Sequence, residues 1–225
     1  SLDTMGTDYV DLFLLHSQLV ENDHESQKPD SSFVATGNLT TLKSFYDAVV
    51  PAMETLKKEG KILNWGIGPG QEEAVCDVIN STTPPDAIQC GVNVLNSLGA
   101  IGYASIKPNP KLVLEESKKK DIPILAIRAV QAGALTSKMD REPHPSGFDH
   151  PDFADYEKAQ PFRELAEDWG ESPASLAHRY ALSIDKVGSV ILGIKNREEL
   201  IECLEAEKKG RLDTEQIYTL ENLFN

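Results

Sequence analysis

The stretch GTDYVDLFLLHSQ, residues 6–18, sets the terms for the rest of the chain. Val10, Leu12, Phe13, Leu14 and Leu15 form an apolar run with the length and flanks of a buried strand, yet it stops on His16 and a polar Ser-Gln. A short continuous apolar run of this kind fits a strand covered on both faces. The same grammar recurs four more times. KILNWGI (61–67), DAIQCGVNV (86–94), ILAIR (124–128) and GSVILG (188–193) each read as a short strand, and each is followed by a helical pattern. The intervening helices are predicted at Thr40 or Thr41 to Glu59, 71–80, 110–120, Gln160 to Trp169, from Pro173 with Ser172 as cap, Asn196 to Glu207, and Thr214 to Leu223. The polar segments Ser17 to Asn38 and Gln131 to Lys158 read as loops.

Alternating strands and helices mean a parallel sheet covered by helices, in either a doubly wound or a barrel arrangement. The strand ends choose between them. His16, Gly66-Ile67-Gly68, Gln89, Arg128 and Gly193-Ile194-Lys195 all stand at or just past a strand's C-terminal end, the face on which a (β/α)8 barrel builds its site. A doubly wound sheet needs a glycine-rich phosphate loop. GIGPG (66–70) lacks the third glycine at the right spacing, and Pro69 removes a backbone N–H. The expected fold is therefore α/β, a TIM (β/α)8-type barrel of which residues 1–225 supply a single domain with five of the eight strand–helix units.

Composition narrows the function. The 225 residues carry a net charge of −14, which repels nucleic acid and anionic membrane surfaces. No apolar run approaches the roughly 20 residues of a membrane span. Cys76, Cys90 and Cys203 are odd in number and widely spaced, a pattern that fits free thiols in a reducing cytoplasm better than disulfides. His144 and His150, with Asp149 and Asp152, are the nearest approach to a metal motif. The interleaved Pro and Gly make that segment a loop, and no metal site is expected. His178 in AHRY reads as structural.

GTDYVDLFLLH, METLKKEGKILNWGIG, IQCGVNVLN, ILAIRAVQAGALTSK, SPASLAHRYAL and GSVILGIKNREELIECLEA together resemble the aldo/keto reductases from their fourth barrel strand to the end, in order and along essentially the whole chain. The resemblance implies an NAD(P)H-dependent reduction of aldehydes or ketones. It makes His16 the catalytic imidazole that hydrogen-bonds the substrate carbonyl, and Gln89 the partner of the nicotinamide carboxamide. Gly68-Pro69 replaces the family's Ser-Asn, and Ile127-Arg128 stands where Tyr-Ser is commonest. Arg128 either pairs with the cofactor pyrophosphate or forms a salt bridge across the barrel mouth, and Gly133 lets its loop approach the cofactor. Gly193, Lys195, Asn196, Arg197, Glu199 and Glu202 occupy the loop and helix that hold the adenosine half. Lys195 and Arg197 suit a 2′-phosphate, favouring NADP(H) over NAD(H). Glu199 and Glu202 suit ribose hydroxyls or the adenine amino group, and Cys203 replaces a usual Asn.

The same resemblance implies that the catalytic Asp, Tyr and Lys belong to strands this sequence does not contain. With Ser1 in place of an initiating Met, the chain reads as a fragment of a longer reductase or a truncated gene product, inactive alone. An open five-strand arc predicts association, as a homo-oligomer or otherwise, through its unpaired edge. The alternative reading is a non-catalytic aldo/keto-reductase-like protein that keeps the scaffold for binding or regulation.

Overall fold

The computed structural model describes residues 2–21, 39–102, 105, 107–139 and 150–224. Its strands are β1 (Val10–Leu15), β2 (Gln18–Val20), β3 (Leu39–Thr41), β4 (Ile62–Ile67), β5 (Ala87–Gly91), β6 (Ile124–Ile127) and β7 (Val187–Val190). Its helices are α1 (Leu2–Met5), α2 (Leu42–Ser44), α3 (Val50–Lys58), α4 (Glu72–Asn80), α5 (Pro110–Lys119), α6 (Pro151–Lys158), α7 (Gln160–Asp168), α8 (Pro173–Ser183), α9 (Arg197–Lys209) and α10 (Thr214–Glu221).

Five strands form one sheet in the order β1-β4-β5-β6-β7, and every neighbouring pair is parallel. A doubly wound sheet reverses its strand order at a switch point. This one runs in sequence from edge to edge with helices in every crossover, which is the arc of a TIM-type barrel. A separate parallel ribbon pairs β2 with β3.

Trp65 and Ile67 on β4, Ile88 and Cys90 on β5, Ile124 and Ala126 on β6, and Val187 on β7 share one buried cluster with Met53 of α3, Val75, Val78 and Ile79 of α4, and Val113 of α5. Each fully buried Ile or Val here contributes roughly 1.5–3 kcal/mol of transfer free energy. A second cluster packs Phe162 and Ala166 of α7 against Leu176 and Tyr180 of α8 and Leu220 of α10. The two sheet edges differ. Tyr9, Phe13 and Leu63 are exposed beside β1, whereas Ile191, Leu192, Ile194, Leu200, Ile201 and Leu204 are exposed beside β7 and along α9.

Several boundaries depart from the sequence reading. Within the loop expected at Ser17 to Asn38, Gln18–Val20 form β2, with Leu19 fully buried; residues 22–38 lie outside the described residues. The loop expected at Gln131 to Lys158 contains α6, whose cap His150 accepts a bond from the Asp152 N–H and whose first turn carries Pro151. His144 and Asp149 lie outside the described residues. The single helix expected to Glu59 is three pieces, with a π-helical turn at Phe45–Val49. There Val50 N–H bonds to the Phe45 carbonyl, and the next residue, Pro51, has no N–H to continue the ladder.

Candidate active site

Strand alternation divides the sheet into a helix-packed face and an open one. Trp65, Ile67, Ile88, Cys90, Ile124 and Ala126 pack into the core, so Gly66, Gly68, Gln89, Leu125 and Ile127 belong to the opposite, concave face. One close approach and one ordinary contact agree with it. A Cβ on Gly66 would run into the Ala87 carbonyl and the Leu14 side chain, and a Cβ on Gly68 would lie 3.6 Å from the Leu15 carbonyl and 3.8 Å from Gln89 Oε1. Leu15 pairs with Ile67, and Ile67 with Ile88. His16, Gly68 and Gln89 therefore come one rung beyond: His16 and Gly68 lie just past the ends of β1 and β4, level with Gln89, which the sequence reading put at a strand end and which stands in the middle of β5. His16 is exposed and Gln89 half-buried. Gln89 makes no side-chain hydrogen bond with any described residue.

The next strand brings Arg128 to the same end, one residue past Ile127, which pairs with Gly91. Its guanidinium Nη1 donates to Asp152 Oδ1 at 3.0 Å, with the two side chains 13% and 2% exposed. Of the two roles open to Arg128 in the sequence, the salt bridge is formed. The backbone here is left-handed at Arg128 (φ 58°), Gln131 (45°), Ala132 (51°) and Gly133 (98°). For each non-glycine residue this costs about 1–2 kcal/mol. The glycine expected to bring the loop close sits where its freedom is used; a Cβ on Gly133 would meet Met139 Sδ at 3.2 Å.

A buried polar network holds that loop. Gln131, fully buried, donates from Nε2 to Asp155 Oδ2 (2.6 Å) and Ser97 Oγ (3.1 Å). Ser97 Oγ donates to the same Asp155 oxygen at 2.6 Å. Asn93 Nδ2 reaches the carbonyls of Ser97 (2.8 Å) and Arg128 (3.2 Å). Asp152 Oδ1 also accepts the Ala100 N–H at 3.1 Å. The sequence gives no sign of a site role for Asn93, Ser97, Gln131 or Asp155, and it brings Asp152 forward only as part of the metal motif set aside above. The readable sign was His150-Pro151-Asp152, a cap, a first-turn proline and a first-turn acid; the cap-and-proline half of it also opens α8 at Ser172-Pro173.

Beyond β7, Gly193, Lys195, Asn196 and Arg197 are exposed. A Cβ on Gly193 would meet nothing within 4 Å, so no close approach among the described residues requires glycine there. Asn196 caps α9 by accepting the Glu199 N–H at 2.9 Å, and Glu199 accepts the Lys195 N–H at 2.8 Å. Glu202 accepts the hydroxyl of Ser172, the cap of α8, at 2.5 Å. Both carboxylates expected to face the adenosine half thus already hold helix ends within the protein. Behind them, Cys203 Sγ lies 3.3 Å from His178 Nε2, while His178 Nδ1 has no partner among the described residues. Burial lowers the His178 pKa and raises that of Cys203, which leaves a neutral pair.

The aldo/keto reductase family model matches residues 1–225. This chain is an aldo/keto reductase family member. It is 25% identical over 227 aligned residues to a protein of Bacillus subtilis (strain 168) described as the uncharacterized oxidoreductase YqkF, covering 99% of this chain and 62% of that one. In fold it resembles the aldo-keto reductase AKR11C1 from Bacillus halodurans in its holo form (TM-score 0.69, 19% identity, 99% of this chain and 63% of that one). It also resembles a thermostable aldo-keto reductase, Tm1743, solved in complex with the inhibitor epalrestat (TM-score 0.61, 17% identity, 99% and 62%). The chain spans about three-fifths of the length of these relatives. No helix among the described residues is long and apolar enough to cross a membrane.

Proposed function

We propose that this chain is the cofactor-facing part of an NAD(P)H-dependent reductase of aldehydes and ketones, with NADPH favoured over NADH. The observation that carries the reading is Gln89. Its half-buried amide, unbonded to any described residue, stands beside Gly68 at the concave end of the sheet. An amide there offers a donor and an acceptor together, which suits a carboxamide. When bound, the nicotinamide ring supplies hydride.

The protein's own residues divide the remaining work. His16 orients the substrate carbonyl with a hydrogen bond, Gln89 and the Gly68 backbone hold the carboxamide end, and Arg128 and Gly133 flank the middle. Lys195 and Arg197, on the exposed start of α9 with Asn196 as its cap, hold the 2′-phosphate, while Gly193 shapes their loop. The internal bonds of Glu199 and Glu202 make them supports of that helix first and adenosine ligands second.

No described tyrosine stands at the concave strand ends. Tyr46 is pushed up to about 12 by burial and by its bond to Asp77, and burial with Glu221 raises Tyr180 as well, so neither suits a proton donor. This chain alone therefore binds cofactor without turnover. The aliphatic Ile127, where a ring would stack, favours the second reading, a family member that keeps binding and has lost the chemistry. A reducing, cytoplasmic setting accords with three free cysteines.

Fluorescence titration with NADPH and NADH tests the proposal. NADPH should bind more tightly than NADH, and Gln89→Leu should weaken NADPH about tenfold, the value of one buried polar contact. Absence of NADPH binding to the wild-type chain overturns the cofactor reading. Carbonyl reduction by the chain alone overturns the expectation of no turnover.

A further inference from the structure

We infer that Asp152 and Asp155 are positioning residues: from the first turns of α6 they hold Arg128 and Gln131, and the left-handed loop after β6, in the shape that receives the cofactor's pyrophosphate. The inference rests on the concave strand ends being the cofactor site.

The loop cannot owe its shape to its own preferences. Arg128, Gln131 and Ala132 all sit at positive φ, where a side chain's Cβ crowds the backbone. Backbone strain of this kind persists only where the surroundings over-determine it, and such places are drawn disproportionately from functional sites. Here two carboxylates do the determining. Asp152 takes the Arg128 guanidinium and the Ala100 N–H on one oxygen, and Asp155 takes the Gln131 amide and the Ser97 hydroxyl on one oxygen. Apolar side chains would fill the same space at lower desolvation cost. What they would not do is fix a guanidinium at the strand ends. Asp152 engages Nη1 alone of a planar group with five donors, so the pair aims the group as well as neutralising it. Arg128 follows Ile127 at the same end of the sheet as His16, Gly68 and Gln89.

The turn opposite has been cut to fit. Gly99 has φ 51°, and a Cβ there would run into Asp152 Oδ1 and Gln131 Nε2. Three segments that are distant in sequence, the loop after β5, the loop after β6 and the start of α6, thus meet on two carboxylates.

The test uses Asp152→Asn and Asp155→Asn in the full chain, with NADPH and adenosine 2′,5′-bisphosphate as ligands. The bisphosphate has the 2′-phosphate that α9 would hold but no pyrophosphate. Each variant should speed amide exchange across Arg128–Leu135 and weaken NADPH by about tenfold, the scale of one charge-assisted contact. Bisphosphate affinity should stay within about twofold of wild type, because its site is α9. A residue that merely stabilises the fold would move both ligands together. Parallel weakening of both, or NADPH affinity equal to wild type, overturns the inference and leaves the cofactor reading standing. A wild-type chain that binds neither ligand removes both. Should Asp152→Asn fail to fold, Gly99→Ala displaces the same carboxylate without deleting its charge, and is held to the same outcomes.

Discussion

Replacing Glu171 with Ala should release the anchor that ties α8 to the end of α9. Glu171 lies between α7 and α8 and is 7% exposed; its carboxylate takes Arg179 Nη1 at 2.5 Å, the Ser175 hydroxyl at 2.6 Å and Lys209 Nζ at 3.3 Å. Arg179, 12% exposed, turns its Nε to the Gly210 carbonyl at 2.8 Å. Removing the carboxylate strands a largely buried guanidinium with that carbonyl as its one remaining bond among the described residues. Breaking one side of a buried pair costs about 3–5 kcal/mol. The half-exposed Lys209 shows that water is near, so the lower end, about 3 kcal/mol, is expected. For a chain of this length that lowers the melting temperature by about 6–12 °C. Urea unfolding followed by tryptophan fluorescence reads the difference directly. pH gives the sign. Burial alone would raise the Glu171 pKa, but the bonds from Ser175, Arg179 and Lys209 outweigh it and hold the folded value below the ordinary one. A depressed carboxylate adds stability above its unfolded pKa, about 4.3, and loses it as pH falls through the lower folded value. The gap between wild type and variant should therefore be full at pH 7 and shrink below about pH 4. A loss under about 1 kcal/mol, the size of an exposed pair, or a gap that widens on acidification, would refute the reasoning.

Gly66→Ala should destabilise by about 1–3 kcal/mol or more, because the added carbon meets the Ala87 carbonyl, which belongs to the neighbouring strand and cannot swing aside; an unchanged urea midpoint contradicts this. Ile67→Ala, at a fully buried position, should cost about 2–5 kcal/mol, and a value below that range would mean that the core cluster collapses around the gap. His16→Ala should change stability by less than about 0.5 kcal/mol, since the ring is exposed, and should leave NADPH affinity intact, because its proposed partner is the substrate carbonyl. A marked loss of melting temperature in that variant would assign His16 to the fold instead.

The sequence carried the architecture because a parallel barrel writes itself in repeated local units. Each strand is a short apolar run followed by a helical pattern, and some of the helices carry a cap of their own, as Ser172 and Asn196 do, so five units could be counted without knowing how any two of them touch. What it did not carry was whatever depended on contact between units. Leu19 is fully buried in a three-residue strand inside a polar stretch, and nothing local distinguishes it from a loop residue. Arg128 and Asp152 meet across 24 positions, and only because Arg128 adopts a backbone conformation that its residue type disfavours. The two acids of α9 are more instructive. Asn196 followed three residues later by Glu199 is a capping pattern in its own right, and Glu199 bonds back to the Lys195 N–H, one residue before the cap N–H that a capping box would use. The family resemblance drew attention to a ligand for that acid before its own helix had been allowed to claim it. Glu202 is the tertiary version of the same competition, since its partner Ser172 is the cap of a different helix. An acid near a proposed cofactor helix therefore has to be tested first against the orphan N–H groups and cap hydroxyls within reach, because those partners are always present and a cofactor is not. By that criterion Gln89, which neither the fold nor a cap has claimed, is the residue on which the functional reading should stand or fall.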